Sequence, residues 1–270
     1  MRHVKGLLAR SVDVVELLAA GAAPLRLSDI ASRLELPKSA THRLLRELVS
    51  LGWVEQEAAE GRYRLSLRFA LLGSRGLRAT GLPELVRPLL QALADATREL
   101  ARLTLASDDG LVWLASAQGA PAGLMYQPAM DGPLVLHATA NGKAFLAALP
   151  PDRAEALARA GGLGTRRPTP RTLSDWPALA AALAETRARG YALAEEEAEP
   201  GVTAVAVAIL GADRAPVGTV SVAGPSLRLP PARYPALADV LAETAAALAA
   251  EWPLRRVSQN RQTESAAAPL

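Results

Sequence analysis

The chain has 270 residues, 50% of them hydrophobic, with 30 Lys and Arg against 27 Asp and Glu, which is enough chain for two domains with proper cores. It has no cysteine and only three histidines, His3, His42 and His137, no two of them close in sequence, so disulfides, thiolate metal sites and a cysteine nucleophile are excluded and a Ser-His-Asp triad has few possible members. Charge is uneven: residues 1–80 hold 13 Lys and Arg against 8 Asp and Glu, a net +5, while residues 81–270 hold 17 against 19, a net −2, so any attraction for a polyanion belongs to the N-terminal part.

Val12, Val15 and Leu18 after Ser11 fall at helical spacing and predict a first helix that ends by Gly21. A short helix follows over 28–34, with Ser28 as N-cap, Asp29 in its first turn and Ile30, Ala31 and Leu34 facing a core. Pro37 stops it and preorganises the next start. In the next helix Ala40, Leu44 and Leu48 recur at i, i+4 and i+8, widened by Leu45 and Leu51, so they face inward. Lys38, Ser39, His42, Arg43 and Arg46 then face outward, with Thr41 at the boundary. Residues 53–55 against 62–65 read as a short hairpin turned by 58–61, with Arg62 and Arg64 placed to meet a phosphate backbone. Two helices around a tight turn with an appended hairpin form a winged helix-turn-helix, whose cationic, hydroxyl-bearing second helix suits the major groove of duplex DNA. An ordinary solvated charged face is the competing reading of the helix pair alone; the hairpin weighs against it.

Residues 67–77 are a third apolar-periodic stretch, interrupted by Gly73 and Gly76, and read as a linker helix. A longer amphipathic helix is predicted from 83 to about 102, with Leu85, Leu89, Leu93 and Leu100 on its apolar face. The pattern then changes to a hairpin, 103–106 and 111–115 around Asp108-Asp109-Gly110, and to extended pieces around 124–126 and 134–136. Helices are expected at 139–148, 152–160 and 174–189, the last capped by Ser174. Strands are expected at 191–193, 202–210 and 217–223, and a closing helix at 231–252. The domains expected are a DNA-binding domain at 1–66, a linker helix at 67–82, an α+β domain with a mixed sheet at 83–252, and a tail at 253–270 too polar to pack. There is no internal repeat. No apolar run approaches the roughly 20 residues that span a bilayer, and the N-terminus has no signal-peptide apolar core, so the expected location is the cytoplasm.

In this order the chain resembles the IclR family of bacterial transcriptional regulators over residues 8–250. The matching segments are Arg10-Ser11-Val12-Asp13, Leu36-Pro37-Lys38-Ser39 with His42-Arg43-Leu44-Leu45, and Gly61-Arg62-Tyr63-Arg64-Leu65. They continue with His137-Ala138-Thr139 and Gly142-Lys143-Ala144, Arg189-Gly190-Tyr191-Ala192 with Glu196-Glu197 and Gly201-Val202, and Ser221 with Gly224-Pro225. The resemblance implies an N-terminal winged-helix domain, a linker helix and a C-terminal GAF-like α/β domain that senses a small molecule. It also implies a homodimer or dimer of dimers on a pseudo-palindromic operator, acting as a repressor, with no catalysis, cofactor or metal.

It further implies an effector pocket at Tyr126, Leu134, Ala140, Asn141, Ala194, Val202, Ala204, Ser221 and Ala223. Members that sense small oxo- or hydroxy-acids carry an acid at 194, a cysteine at 204 and serines at 221 and 223; here the first, second and fourth are alanines. Ser221, Asn141 in the loop before Gly142, and the backbone amides of Ala140 and Asn141 are the remaining polar groups. The expected ligand is therefore aromatic or bulky and apolar with one polar head. Two other readings stay open: a vestigial pocket that answers no effector, and an enzyme acting on the pocket ligand. Several neighbours have plainer readings: His137 as a capping or core residue, Lys143 as a surface or capping group, Trp113 and Tyr126 as core aromatics, and Glu195-Glu196-Glu197 as a solvated bend without metal partners.

Overall fold

The computed structural model describes residues 6–19, 23–121, 123–128 and 134–251. Gly21, Trp252 and the tail at 253–270 lie outside them. The chain divides into two compact units, residues 1–79 and 80–270.

The first unit comprises α1 (Leu7–Ala19), α2 (Leu27–Arg33), α3 (Lys38–Ser50), β1 (Val54–Gln56), β2 (Tyr63–Leu65) and α4 (Leu67–Ala79). Val14, Leu18, Ile30, Leu45, Leu48, Val54 and Tyr63 form its core. In α1 it is Val14 and Leu18 that are buried, and Val12 is exposed. The predicted cap of α2 is also displaced: Arg26 holds the N-cap position and Ser28 lies inside the first turn. The tight turn between α2 and α3 is a Schellman ending. Glu35 takes a left-handed φ of 53°, so that the Leu36 and Glu35 amides donate to the carbonyls of Ala31 and Ser32 at 2.9 and 3.2 Å. Gly52, at φ 74°, ends α3 in the same way and sends the chain into the wing. The wing strands pair antiparallel, Val54 opposite Leu65, and Leu25 bridges to Tyr63 as a third short edge.

The start of α4 is fixed to this unit. Ser66 donates from its hydroxyl to the Gly52 carbonyl at 2.6 Å, and Arg68 donates to the Leu51 carbonyl at 2.7 Å while its guanidinium covers the Trp53 ring. Phe69 meets Trp53 edge to face. Beyond that point α4 buries no side chain, and Leu67, Leu71 and Leu72 stand exposed.

The second unit is α5 (Leu82–Thr97), β3 (Leu100–Ser107), β4 (Gly110–Gln118), α6 (Ala140–Ala147), α7 (Pro151–Ala160), α8 (Trp176–Arg189), β5 (Ala192–Glu195), β6 (Val202–Leu210), β7 (Pro216–Pro225) and α9 (Tyr234–Glu251). The predicted helix to residue 102 ends instead at Thr97, where Arg98 adopts a left-handed conformation and turns the chain into β3. It buries Leu82, Val86, Leu90 and Leu93, so Leu85 and Leu89 lie only at the margin and Leu100 belongs to the strand. The pieces at 124–126 and 134–136 are not strands. Asp175 rather than Ser174 caps α8, accepting from the Ala178 amide at 2.9 Å. The sheet, expected to be mixed, is antiparallel throughout in the order β4-β3-β7-β6-β5. Every connection but the short hairpins passes through helices, yet each strand still meets its neighbour head to tail.

Alternation along β6 divides the unit into layers. Val205, Val207 and Ile209 are buried on the side where α9 and α5 pack. Ala204 and Ala206 turn the other way and cluster with Ala192, Ala194 and Ala223 from the sheet and Ala140 and Ala144 from α6. Outside α6, a second core of Phe145, Leu146, Leu157, Leu179 and Leu183 binds α7 and α8 to it. Gly142 permits the close approach at the start of α6, since a Cβ there would lie 2.1 Å from the Leu136 carbonyl oxygen. Gly142→Ala is therefore expected to cost about 1–3 kcal/mol, as over-packing against fixed backbone does. Urea unfolding of the variant should show a lower midpoint with an unchanged slope.

Candidate functional site

Two sites emerge, one in each unit. In the first, α3 presents Lys38, Ser39, His42, Arg43 and Arg46 on its exposed face. The inward stripe is Thr41, Leu44, Leu45 and Leu48; the three leucines are those expected, whereas Ala40 is only half-buried and Leu51 is exposed at the C-cap. Thr41 is the correction that matters. It is fully buried, and its hydroxyl donates back to the Pro37 carbonyl at 3.1 Å, so it shapes the helix start and cannot reach a ligand. No acidic side chain lies in the first turn of α3, which leaves the positive end of the helix unopposed locally.

The wing is more self-contained than its sequence suggests. Arg62 pairs with Glu60 at 2.6 Å, and Arg64 pairs with Glu55 at 3.0 Å with Glu57 at 3.9 Å. Both arginines remain partly or wholly exposed. Each can offer an external anion the N–H groups that these partners leave free or can leave the partner altogether, since exposed pairs of this kind hold by about 1 kcal/mol or less.

In the second unit the expected pocket positions largely converge. Ala140, Ala194, Ala204 and Ala223 belong to one buried cluster with Tyr126 packed against it. Asn141 is buried within α6, not in the preceding loop, and donates from Nδ2 to the Thr219 hydroxyl at 2.9 Å. That hydroxyl also lies 2.6 Å from the hydroxyl of Thr104. Ser221 is fully buried, with no hydrogen-bond partner for its Oγ among the described residues; the Asn141 Oδ1 likewise has none. Val202 lies on the same side of β6 but at its end, opposite Pro225. Leu134 falls elsewhere, packing on the α6–α7–α8 core.

Arg102 is the residue that sequence reasoning missed. It stands on β3 directly opposite Ser221 of β7 and Ser116 of β4, only 7% exposed. Its guanidinium carbon lies 4.2 Å from the Trp113 ring centroid and 5.7 Å from that of Tyr126. Its Nε has no hydrogen-bond partner among the described residues. Burial pushes this guanidinium below its ordinary value, opposed by Tyr126 and Glu199. Burial pushes the Tyr126 phenol up to about 12, with Arg102 pulling it back and Glu199 adding to the rise. The signal lay in Leu100-Ala-Arg-Leu-Thr-Leu105, whose alternation is that of a strand, but extending the preceding helix to 102 hid it.

The other buried ionic groups are tied down. Lys143, read as a surface or capping group, is buried and donates to Glu197 Oε1 at 2.6 Å. Burial drives the lysine down and the glutamic acid up, and their mutual attraction opposes both shifts. The 195–197 bend is thus anchored, not merely solvated: Glu195 accepts from the Tyr234 hydroxyl at 2.6 Å, and the Thr169 and Thr172 hydroxyls donate to the carbonyls of Glu196 and Glu197. Glu99, also buried, takes a two-pronged contact from Arg228, with both N–O distances 2.6 Å. His137 is a core residue whose Nε2 bonds the Arg166 carbonyl at 2.8 Å.

A winged helix-turn-helix with a cationic outward face, followed by an α/β unit with a buried cluster of small residues between α6 and the sheet, defines a DNA-binding transcriptional regulator. The family descriptions "IclR helix-turn-helix domain" and "Bacterial transcriptional regulator IclR C-terminal" match residues 7–58 and 75–250. The chain belongs to the IclR family of bacterial transcriptional regulators. It is 34% identical over 238 residues to the HTH-type transcriptional regulator BhcR of Paracoccus denitrificans, covering 88% of this chain and 84% of that one. Among solved structures, an IclR transcriptional regulator from Silicibacter sp. TM1040 superposes with a TM-score of 0.80 at 29% identity, over 90% of this chain and 95% of that one. An IclR homolog from Microbacterium hydrocarbonoxydans, solved with 4-hydroxybenzoate, superposes with a TM-score of 0.70 at 27% identity, over 93% and 99%.

The buried His137 gives the second unit a pH dependence of definite sign. Burial lowers its pKa from the ordinary 6.5, so below about pH 6.5 the unfolded chain takes up a proton that the folded chain refuses, and stability falls with falling pH. Above pH 6.5 this contribution is constant. Thermal melts at pH 7.5 and 5.5 should show a drop for the natural chain and a smaller drop for His137→Gln.

Proposed function

We propose that this regulator docks α3 in the major groove of a pseudo-palindromic operator as a homodimer, alone or paired as a dimer of dimers, and represses transcription until a small molecule enters a cavity that would lie at the alanine cluster between α6 and the sheet. The observation that carries the reading is the division of α3 into a buried Thr41/Leu44/Leu45/Leu48 stripe and an exposed face of Lys38, Ser39, His42, Arg43 and Arg46. A helix held in this way offers cations and hydroxyls to base edges and phosphates at fixed spacing. Arg62 and Arg64 would follow the backbone from the wing. The domains that follow from this are the DNA reader at 1–66, the linker at 67–82 and the sensor, GAF-like in plan, at 83–252, working in the cytoplasm without catalysis.

The cavity supports an aromatic or bulky ligand with one polar head. It would open within a buried cluster of alanines with a tyrosine packed against it, where the unpartnered polar atoms are few. The backbone amides of Ala140 and Asn141, at the start of α6, would face that head, and the homolog that holds 4-hydroxybenzoate is a relative whose bound molecule is aromatic, with a carboxylate at one end and a hydroxyl at the other.

The DNA reading is tested with an operator selected from random duplexes by the full chain. Arg43→Ala should weaken binding to it by about 1–3 kcal/mol if it meets a base, whereas Thr41→Val, which alters only a buried position, should bind within a few tenths of a kcal/mol of the natural chain. Arg62→Ala should lower the log-log salt slope by about one. Equal affinity of Arg43→Ala and the natural chain would displace α3 from the groove.

Assembly is tested on α4. Its exposed Leu67, Leu71 and Leu72 supply an apolar stripe for pairing with a second copy. Leu71→Glu with Leu72→Glu should shift sedimentation toward monomer and weaken operator binding, while the far-ultraviolet circular dichroism stays that of a folded chain. Unchanged sedimentation would take α4 out of the interface.

A further inference from the structure

We infer that Arg102 is the anchor of the effector, and that the polar head it receives is an anion, in an organic molecule a carboxylate. The inference rests on the reading of the cavity as an effector site and gives that effector its charge.

A row of side chains crosses the sheet at this level: Ser116 of β4, Arg102 of β3, Ser221 of β7, Ala206 of β6 and Ala192 of β5, each opposite the next in register. One guanidinium is thus set among hydroxyls and methyl groups on the face that α6 covers. A buried cation needs a counter-charge or a full set of acceptors, because desolvation otherwise outweighs what burial returns. The other buried ionic groups in this unit obey that rule, Lys143 with Glu197 and Glu99 with Arg228. Arg102 does not. No carboxylate lies within ion-pair distance of it among the described residues; the Tyr126 hydroxyl interacts with it, Glu199 attracts it less than Tyr126 does, and Trp113 and Tyr126 offer ring faces. Its Nε–H and the Ser221 Oγ, neighbours across the ladder, both lack partners, and the Asn141 Oδ1 is a third orphan on the α6 side.

This is the donor set of an anion site before the anion arrives. An arginine presents its N–H groups in a flat fork that matches the two oxygens of a carboxylate, and a serine hydroxyl beside it can add a further hydrogen bond. The Asn141 Oδ1 accepts, so it suits a hydroxyl or N–H on the ligand body. The alanines, which carry nothing beyond Cβ, can make way for that body with the smallest displacement, and the ring of Tyr126, packed against the alanine cluster, gives it an apolar surface. A neutral ligand of the same shape would bring Arg102 no counter-charge.

The test compares 4-hydroxybenzoate with 4-hydroxybenzamide, alike in size but differing in charge, by calorimetry on the full chain at pH 7 and by operator release. The acid should bind at least tenfold more tightly than the amide. Arg102→Met should erase that preference by weakening the acid alone, and should melt no lower than the natural chain without ligand, since it removes a buried charge. Ser221→Ala, a smaller change, should weaken the acid several-fold and leave the amide within twofold. Binding of amide and acid with equal strength, or an acid preference that survives both substitutions, would overturn the anchor and leave the effector cavity standing. Failure of both compounds to bind or to release the operator would overturn the effector reading and the anchor with it.

Discussion

The alternation of side chains along β6 is the constraint on which the second unit depends. Val205, Val207 and Ile209 on one side fill the space beneath α9, as branched side chains do on a pleated surface. Ala204 and Ala206 on the other side have nothing beyond Cβ. With alanines also on β5 and β7, this face lets α6 lie close to the sheet at Ala140 and Ala144 while leaving the polar groups of β3 and β7 sheltered but not crowded. A register slip of one residue would exchange the two faces, placing branched side chains against α6 and alanines under α9. The helix would be pushed off, and the line of hydroxyls at Thr104 and Thr219 that receives Asn141 would be lost with it.

The ionic groups divide by the same geometry. Where the chain needs a fixed bend, an oppositely charged partner is buried with the charge: Lys143 holds Glu197 beside the turn between β5 and β6, and Arg228 holds Glu99 at the start of β3. Gly224 lies so close to that second pair that a Cβ would sit 2.2 Å from a Glu99 oxygen, so the carboxylate occupies the space that a side chain would take. In the first unit the cations of α3 are exposed, and those of the wing lie in shallow pairs with glutamates of the same hairpin. Deep pairing fixes structure, and shallow pairing leaves a charge able to change partners.

Much of this was legible in the sequence because it is written in short periods. The winged helix-turn-helix followed from the spacing of Ile30, Leu44 and Leu48, the stop at Pro37 and the two short strands around Gly61. The clustering of Ala140, Ala194, Ala204 and Ala223 followed from the resemblance. What escaped depends on boundaries and on long-range partners. Helix periodicity continues through Leu93 and Leu100 without a proline to stop it, and the break at Arg98 is a left-handed residue that no side-chain pattern announces; Arg102 was hidden by that continuation. Thr41 has the polarity of a boundary residue, but its hydroxyl is satisfied by the Pro37 carbonyl within its own helix, which lets it enter a core. The parts played by Lys143 and Glu197 required contacts across 54 residues, beyond the reach of local pattern.

The alanine wall also bears on how such a protein changes over generations. Ala140, Ala194, Ala204 and Ala223 sit where backbone and neighbours are already fixed by the sheet and by α6. In the genetic code a single base change turns an alanine codon into one for serine, threonine, proline, valine or glycine, and into one for either aspartate or glutamate. Each wall position is therefore one mutation from a hydroxyl, a methyl more or less, or a charge, introduced into an existing frame without altering the fold's connections. A gene duplicate could acquire a new inducer by single steps while its DNA-reading half, a separate unit of the chain, continued to recognise the old operator.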